Sequence, residues 1–208
     1  MPVSEYVQFG CGFSAPEDWL NFDASPTLRF ERLPVIGRLY TRNSRRFPAS
    51  VRYGNIIEGL PIADGSCQGM YCSHVLEHLA LEEVDAALKN VLRHLRAGGT
   101  FRMVLPDLEQ LARCYVSSTD PWAASRFMED TCFGVRARPR GLGGFVRSWL
   151  GNSAHLWMWD ERSLGEKLHG HGFREIRRAA FGDAEDKKFN EVEDAGRFAG
   201  CLAMQCRK

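Results

Sequence analysis

Three features are missing from this sequence: a long apolar run, a cysteine pair and an excess of charge of one sign. No stretch approaches the roughly 20 apolar residues that a membrane-spanning helix needs, and no basic-then-apolar secretory signal opens the chain. Lys and Arg number 27 against 26 Asp and Glu, a net charge of +1, so no overall field attracts nucleic acid or an anionic membrane. We therefore expect a cytoplasmic protein without a nucleic-acid partner or a membrane span.

The 7 cysteines are scattered, and no two of them have the C-x-x-C spacing. This pattern argues against a disulfide framework and against a zinc site built from thiolates. His74 and His78 are four residues apart, but the H-E-x-x-H order of zinc proteases is absent. The sequence therefore predicts reduced thiols and no metal site.

At 208 residues, with 44% apolar and 25% charged residues, the whole chain 1–208 is expected to form one α/β domain. Strand-like and helix-like segments alternate, which is typical of a parallel sheet with helices on both faces. The last two strand-like segments have no helix between them that is long enough for a parallel crossover, so we expect them to pair antiparallel. The predicted strands are residues 5–9, 19–22, 51–54, 68–73, 99–105, 174–181 and 199–206.

The clearest helical pattern runs over residues 81–95 and is predicted to end at Gly98-Gly99. A second helix is predicted to begin at Pro106-Asp107, and a last one covers about 160–171, with Asp160 as its N-cap.

Residues 120–155 interrupt the alternation as a helical insertion after the fifth strand, with short helices expected around 122–132 and 143–150. The insertion would overhang the carboxyl ends of the strands, where open α/β sheets bind ligands. It is therefore a candidate lid and acceptor-binding region, and packing without ligand contact is the alternative.

Two glycines directly behind the first predicted strand indicate a nucleotide-cofactor pocket. Gly10 and Gly12 allow the backbone to approach a ligand, and Asp23, at the end of the next strand, can accept hydrogen bonds from ribose hydroxyls. The spacing from Gly10 to Ala15 also fits a dinucleotide-binding turn. Asp23 follows Ala15 by only eight residues, which leaves little room for the long helix of such a site.

Five short segments follow one another in a characteristic order: Gly10-Cys11-Gly12, WLNFD at 19–23, LPIADGS at 60–66, SHVLEHL at 73–79 and LRAGG at 95–99. Together they resemble the S-adenosylmethionine-dependent methyltransferase superfamily, most closely the small bacterial methyltransferases of the type-11 domain class. The resemblance implies a Rossmann-like, doubly wound, mostly parallel seven-stranded sheet with an antiparallel C-terminal strand pair. It also implies S-adenosylmethionine as the cofactor and S-adenosylhomocysteine as the product.

The resemblance implies roles for the cofactor wall. The backbone of Gly10-Cys11-Gly12 would approach the methionine end of the cofactor, and Asp23 would bind both ribose hydroxyls. Asn55 and Ile56 would frame the adenine. Relatives usually carry an acidic residue at the first of these two positions, but an amide oxygen can also accept a hydrogen bond from the adenine amino group.

Ser73 and His74 would face the sulfonium and the entering nucleophile. His74 is the preferred catalytic candidate, because an imidazole with a pKa near about 6.5 can take a proton from a hydroxyl or an amine. The alternative is that His74 only shapes the pocket through hydrogen bonds. His78 and His155 are the further catalytic candidates; Glu77 and His78 could reach the acceptor, or His78 could be a structural histidine.

Aromatic and basic residues supply candidates for the acceptor side. Trp157 and Trp159 could stack on a sugar or ring acceptor, or could seal the insertion against the sheet. The arginines could bind phosphate or carboxylate groups, or could lie in solvated loops. They form two clusters, one of Arg42, Arg45 and Arg46 and one of Arg136, Arg138, Arg140 and Arg147.

The sequence therefore predicts methyl transfer from S-adenosylmethionine to an oxygen or nitrogen of a small-molecule acceptor, with a sugar-linked acceptor as one option. A methyltransferase-like scaffold that acts through a protein partner is the alternative, and an NAD-dependent oxidoreductase is a third hypothesis. The first strand begins close to Met1, so we expect the cofactor to be covered by residues 25–50, by residues 120–155 or by the second subunit of a homodimer.

Overall fold

A seven-stranded sheet organises the chain in the computed structural model, which describes residues 5–35, 37, 45–135, 137 and 154–208. The strands are β1 (Tyr6–Phe9), β2 (Leu20–Asp23), β3 (Arg52–Tyr53), β4 (Cys67–Ser73), β5 (Leu95–Pro106), β6 (Arg174–Arg178) and β7 (Cys201–Arg207). The helices are α1 (Pro26–Glu31), α2 (Leu81–His94), α3 (Leu108–Ser117), α4 (Ala123–Asp130), α5 (Glu161–Gly170) and α6 (Ala195–Phe198), with 3-10 turns at Leu76–His78 and Lys187–Glu191.

The strand order is β3-β2-β1-β4-β5-β7-β6. Pairs from β3 to β5 are parallel, whereas β7 pairs antiparallel with both β5 and β6. This topology confirms the predicted doubly wound sheet with an antiparallel C-terminal pair. The order reverses between β1 and β4, and ligands of open α/β sheets bind at the carboxyl ends of the strands beside such a reversal.

The central strands are buried on both faces, which explains their nearly continuous apolar character. All residues of β4 except Gln68 are buried, as are five successive residues of β7. Helix α2 covers one face of the sheet with Val84, Ala87, Leu88 and Val91 at helical spacing. Packing in the core therefore fixes β1 and β4, and with them the position of their carboxyl ends.

Helix α2 ends at His94, so the predicted end at Gly98-Gly99 is wrong. Leu95 already has an extended backbone and pairs with Cys67 of β4. Gly98 adopts a positive φ of 74° and donates its N–H to the carbonyl of Lys208, 3.1 Å away. Sheet pairing with two distant segments therefore overrides the local helical pattern.

The helices after β5 follow the sequence signals closely. Asp107 is the N-cap of α3, and Asp160 is the N-cap of α5, with its side chain accepting from the N–H of Ser163 at 2.7 Å. Helix α4 confirms the short helix expected around 122–132. The helix expected around 143–150, together with Arg42, Arg136, Arg138, Arg140 and Arg147, lies outside the described residues.

A fully buried arginine joins β5 to the C-terminal part of the sheet. The guanidinium of Arg102 donates to Gln205 Oε1 at 2.9 Å and to the carbonyl of Ala180 at 2.7 Å, and it pairs with the carboxylates of Asp183 and Glu193. Burial alone would raise the pKa of Asp183, but hydrogen bonds led by the one from Arg177 lower it to about 2.

No described helix combines the length and the apolar character that crossing a bilayer requires.

Candidate active site

Two cavities meet at the carboxyl ends of β1 and β4. The first, of about 520 Å³, lies over β1 and β2 and is lined by Asp23, Asn55, Ile56, His74 and His78, among others. The second, of about 400 Å³, lies on the other side of the turn Gly10-Cys11-Gly12, called the glycine turn below. Its lining includes Cys11, Ser73 and Arg197. Phe9 and Gly10 line both. The glycine turn is therefore the partition between the two cavities.

The backbone of the glycine turn requires glycine for two different reasons. Gly10 and Gly12 both have positive φ values, 63° and 55°, a region that side chains disfavour. A Cβ on Gly10 would lie only 2.2 Å from Cγ2 of Val75, whereas a Cβ on Gly12 would meet nothing within 4 Å. Gly10 therefore permits a tight contact inside the protein, and Gly12 borders open space.

This contrast predicts different losses of stability for two alanine substitutions. Gly12→Ala is expected to lower the free energy of unfolding by about 1–2 kcal/mol, the cost of a left-handed backbone. Gly10→Ala adds the overlap with Val75 and should lose about 1–3 kcal/mol more. Urea unfolding measures both. Gly165→Ala in the open part of α5 is the control and should stabilise by up to about 1 kcal/mol, and equal losses at Gly10 and Gly12 would contradict the assignment.

Asp23 links the glycine turn to the end of β2. Its side chain is almost buried, with Oδ2 accepting from the N–H of Gly12 at 2.9 Å and Oδ1 accepting from the N–H of Ser25 at 2.7 Å. A carboxylate offers about four acceptor sites, so acceptor capacity remains for ligand hydroxyls on the cavity side. The residue therefore both holds the turn and lines the first cavity.

The thiol of Cys11 points into the protein. It is buried, it donates to the carbonyl of Gly12 at 3.6 Å, and burial together with the charge of Asp23 raises its pKa to about 12. The thiol therefore stays protonated. Only the backbone of Cys11 is available for the role that the resemblance implies.

Asn55 and Ile56 close the far end of the first cavity, under the loop after β3. The Asn55 side chain accepts from the N–H of Ile57 and donates to Glu58 Oε1, both at 3.0 Å. Asn90 of α2 donates to the carbonyls of Ile56 and Ile57. The loop is therefore held from both sides, and the second lone pair of the Asn55 amide oxygen remains for a donor.

Ser73 lies in the second cavity, not in the first. Arg197 donates to its carbonyl oxygen at 3.1 Å and to its Oγ at 3.2 Å. The sequence grouped Ser73 with the cofactor wall because it ends β4. Strand β4 ends at Ser73, and His74 follows it with a left-handed backbone, so the two side chains line different cavities.

His74 has a left-handed backbone, with a φ of 55°, and its ring is held at both nitrogens. Nδ1 lies 3.1 Å from Glu77 Oε1, and Nε2 lies 3.9 Å from Cys201 Sγ. The hydrogen bonds with Cys201 and Glu77 raise the pKa of His74 to about 9. A ring that is protonated at neutral pH cannot take a proton, so this geometry argues against the predicted role as a base.

His78 and His155 come together although they are far apart in sequence. Their ring centroids are 4.9 Å apart with the rings nearly perpendicular, and His78 Nδ1 lies 3.1 Å from the carbonyl of Ala154. Burial lowers the pKa of His155. The N–H groups of Leu156 and Trp157 both donate to the carbonyl of Glu77, which attaches the segment before α5 to the turn after β4.

Two residues of this region, Arg197 and Cys201, were not among the predicted site residues, whereas Glu77 was a candidate beside His78. The i, i+3 spacing of His74 and Glu77 was a usable signal for their pairing. Arg197 and Cys201 carry no local signal, because they reach the site only through the return of β7 beside β5.

The two tryptophans of the acceptor-side segment have separate environments. Trp159 is buried in the core, whereas Trp157 is 42% exposed, and their ring centroids are 6.2 Å apart. Of the predicted arginines that the structure describes, Arg45 lines the second cavity, with its guanidinium 5.6 Å from the centroid of the Phe13 ring. Trp159 therefore seals the segment against the sheet, and Trp157 remains available to a ligand.

Comparison with known proteins adds sequence and fold relationships. Residues 7–103, slightly less than half of the chain, match the family model described as a methyltransferase domain. No curated protein matches the sequence.

Solved structures share the fold at low identity. A SAM-dependent methyltransferase from Archaeoglobus fulgidus is 14% identical with a TM-score of 0.50, over 98% of this chain and 85% of that one. A SAM-dependent methyltransferase from Methanosarcina mazei is 15% identical with a TM-score of 0.52, over 98% and 91%. The structure of PigF with SAH is 14% identical with a TM-score of 0.50, and the match covers 98% of this chain and 55% of the PigF chain.

Proposed function

We propose that this chain is an S-adenosylmethionine-dependent methyltransferase that methylates an oxygen or nitrogen of a small molecule, and the match over residues 7–103 together with the shared fold supports this proposal. The methyltransferase-domain match, and a structural neighbour solved with SAH, support S-adenosylmethionine as the cofactor and S-adenosylhomocysteine as the product. The first cavity, with Asp23 and the glycine turn on one wall, is the observation that carries the proposal.

In this proposal the cofactor extends along the first cavity. The backbone of Gly10 and Gly12 would border the methionine part, and the remaining acceptor sites of Asp23 would bind the ribose hydroxyls. Asn55 and Ile56 would hold the adenine at the far end. This orientation directs the methyl group towards the end of the cavity that His74 and His78 line.

Methyl transfer is a direct displacement. The acceptor oxygen or nitrogen forms a bond to the methyl carbon while the bond from that carbon to sulfur breaks, the sulfur keeps the electron pair, and the proton of the acceptor hydroxyl or amine is released to water. Such a reaction depends mainly on alignment of three atoms. The chain's residues therefore contribute chiefly by positioning, and His74, held by Glu77 and Cys201, acts in this proposal as a positioning residue.

The acceptor would enter beside the segment before α5. Trp157 exposes part of its ring there, and its backbone is attached to Glu77. An exposed indole face suits a sugar or another flat ring. A sugar-linked acceptor is the option that this residue supports, and residues 120–155 remain the proposed acceptor region.

Calorimetry with the purified chain tests the cofactor assignment directly. We expect S-adenosylmethionine and S-adenosylhomocysteine to bind with a stoichiometry near one, and NADH to give no binding heat. Absence of binding by both cofactor forms at millimolar concentration would remove the enzymatic proposal and leave the scaffold alternative. Binding followed by transfer of a labelled methyl group to hydroxyl- or amine-bearing small molecules would then identify the acceptor class.

A further inference from the structure

A cluster of three metal-ligand side chains lies at the histidine end of the first cavity. One ligand atom each from Glu77, His78 and His155 lies within 4.8 Å of the other two. Glu77 is fully buried, and both histidines are partly buried. Metal–ligand bonds of about 2.1 Å place neighbouring tetrahedral ligands roughly 3.4 Å apart, so small side-chain rotations would close the cluster around an ion.

Two buried polar atoms of this cluster have no hydrogen-bond partner among the described residues: Glu77 Oε2 and His155 Nδ1. The other carboxylate oxygen of Glu77 is engaged by His74 at 3.1 Å. A buried carboxylate oxygen or ring nitrogen without a partner is costly. A cation bound between these atoms would remove that cost at both.

One ring nitrogen of His78 is engaged by the backbone in a way that is common in metal sites. His78 Nδ1 lies 3.1 Å from the carbonyl of Ala154. An imidazole that donates one N–H to a backbone carbonyl presents the lone pair of its other nitrogen, and this arrangement typically orients metal-ligating histidines. This bond leaves Nε2 of His78 available to a metal ion, and the unpartnered Nδ1 of His155 is available as well.

We propose that Glu77, His78 and His155 bind a divalent transition-metal ion, with Zn²⁺ as the ion that the ligand types favour. Two imidazoles and one carboxylate are the protein ligands of many catalytic zinc sites and of non-haem iron sites, which keep further positions open. The sequence predicts no metal site from its scattered cysteines and the missing H-E-x-x-H order, and it separates His155 from His78 by 76 intervening residues. Only the fold brings the ligands together.

The site suggests a use that rests on the proposed methyl transfer. His78 also lines the first cavity, so an open coordination position on the ion would face the acceptor end. An acceptor hydroxyl bound there would lose its proton more readily, as metal-bound water does. Metal binding itself does not depend on this use.

The test uses the full chain and Zn²⁺ alone. After chelator treatment, calorimetric titration should give one strong site per chain, and Co²⁺ should give the visible absorption of a low-coordinate N/O site. Removal of one of three ligands, in Glu77→Gln or His155→Ala, should weaken binding by at least about 100-fold, because loss of even an outer-shell partner costs 10–100-fold. His169→Ala, on the exposed side of α5, is the matched control and should bind as the wild type does.

The thermal unfolding of each variant, measured without metal, shows whether it is folded. Equal Zn²⁺ affinity in folded His155→Ala and in the wild type would overturn the proposal, as would absence of a strong site in the wild type. Titration of S-adenosylmethionine into the metal-free protein separates the two proposals. Cofactor binding without Zn²⁺ binding would remove the metal site and leave the proposed function standing, whereas the reverse would remove the proposed function alone.

Discussion

Replacement of Asp23 by alanine is expected to weaken the binding of S-adenosylmethionine by about 100-fold or more, because two hydrogen bonds to a charged group are lost at about 1.5–3 kcal/mol each. The carboxylate is the acidic group at the end of β2 on the wall of the first cavity. Calorimetry with the wild type and the variant measures the ratio of dissociation constants.

Asp23 also has a structural role, which the experiment must separate from the binding role. Loss of its bonds to the N–H groups of Gly12 and Ser25 should lower the free energy of unfolding by about 1–3 kcal/mol. Urea unfolding of the same variant measures this loss. The cofactor is titrated without urea, where the variant is folded, so that weaker binding is not a consequence of unfolding.

Asp64→Ala is the matched control for this variant. Asp64 is also an aspartate near the sheet, but its side chain is 66% exposed and pairs with Arg93 outside the cavity. It should change neither the cofactor affinity nor the stability appreciably. An Asp23→Ala affinity within threefold of the wild type would contradict the cofactor orientation. A scaffold that works through a partner would keep its partner interaction in either variant.

Replacement of Arg102 by methionine is expected to cost about 3–5 kcal/mol of the free energy of unfolding, the usual loss when one member of a buried ion pair is removed. Methionine keeps much of the side-chain volume, so the loss reports charge and hydrogen bonds instead of a cavity. Glu193 would remain fully buried without its cationic partner. Chemical unfolding, followed by two independent spectroscopic signals, measures the difference.

Arg113→Met supplies the comparison for an exposed pair. Arg113 bonds to Glu109 one helical turn away, with its own side chain 76% exposed, so solvent screens this pair and the variant should unfold almost as the wild type does. Adding Glu193→Gln to Arg102→Met should recover part of the loss, because the uncompensated charge disappears. A loss below about 1 kcal/mol for Arg102→Met would contradict the assigned role of the buried cluster.

Much of the fold could be predicted because its signals are local. Alternating strand and helix patterns gave the parallel sheet, and the short spacing between the last strands gave their antiparallel pairing. Asp160 is a helix cap in both sequence and structure. The end of α2 could not be predicted, because Leu95 pairs with a strand nearly thirty residues earlier in the chain.

The candidate site also has features that could be predicted from the sequence and features that could not. The glycine turn and Asp23 could be identified because a turn behind a strand and the end of the next parallel strand must meet at one edge of the sheet. The opposite directions of Ser73 and His74, and the state of the His74 ring, depend on Arg197 and Cys201. These residues approach from the C-terminal segment.

The sequence by itself therefore determined the class of fold and the edge of the sheet at which the glycine turn and Asp23 meet, and it supplied the candidate histidines. The tertiary structure alone decided that the glycine turn separates two cavities and that Glu77, His78 and His155 form one cluster. The physical reason is the distance along the chain between the residues that determine each property. Backbone conformation and strand direction follow from neighbouring residues, whereas burial, charge pairing and the pKa of His74 depend on side chains that only the folded chain brings together.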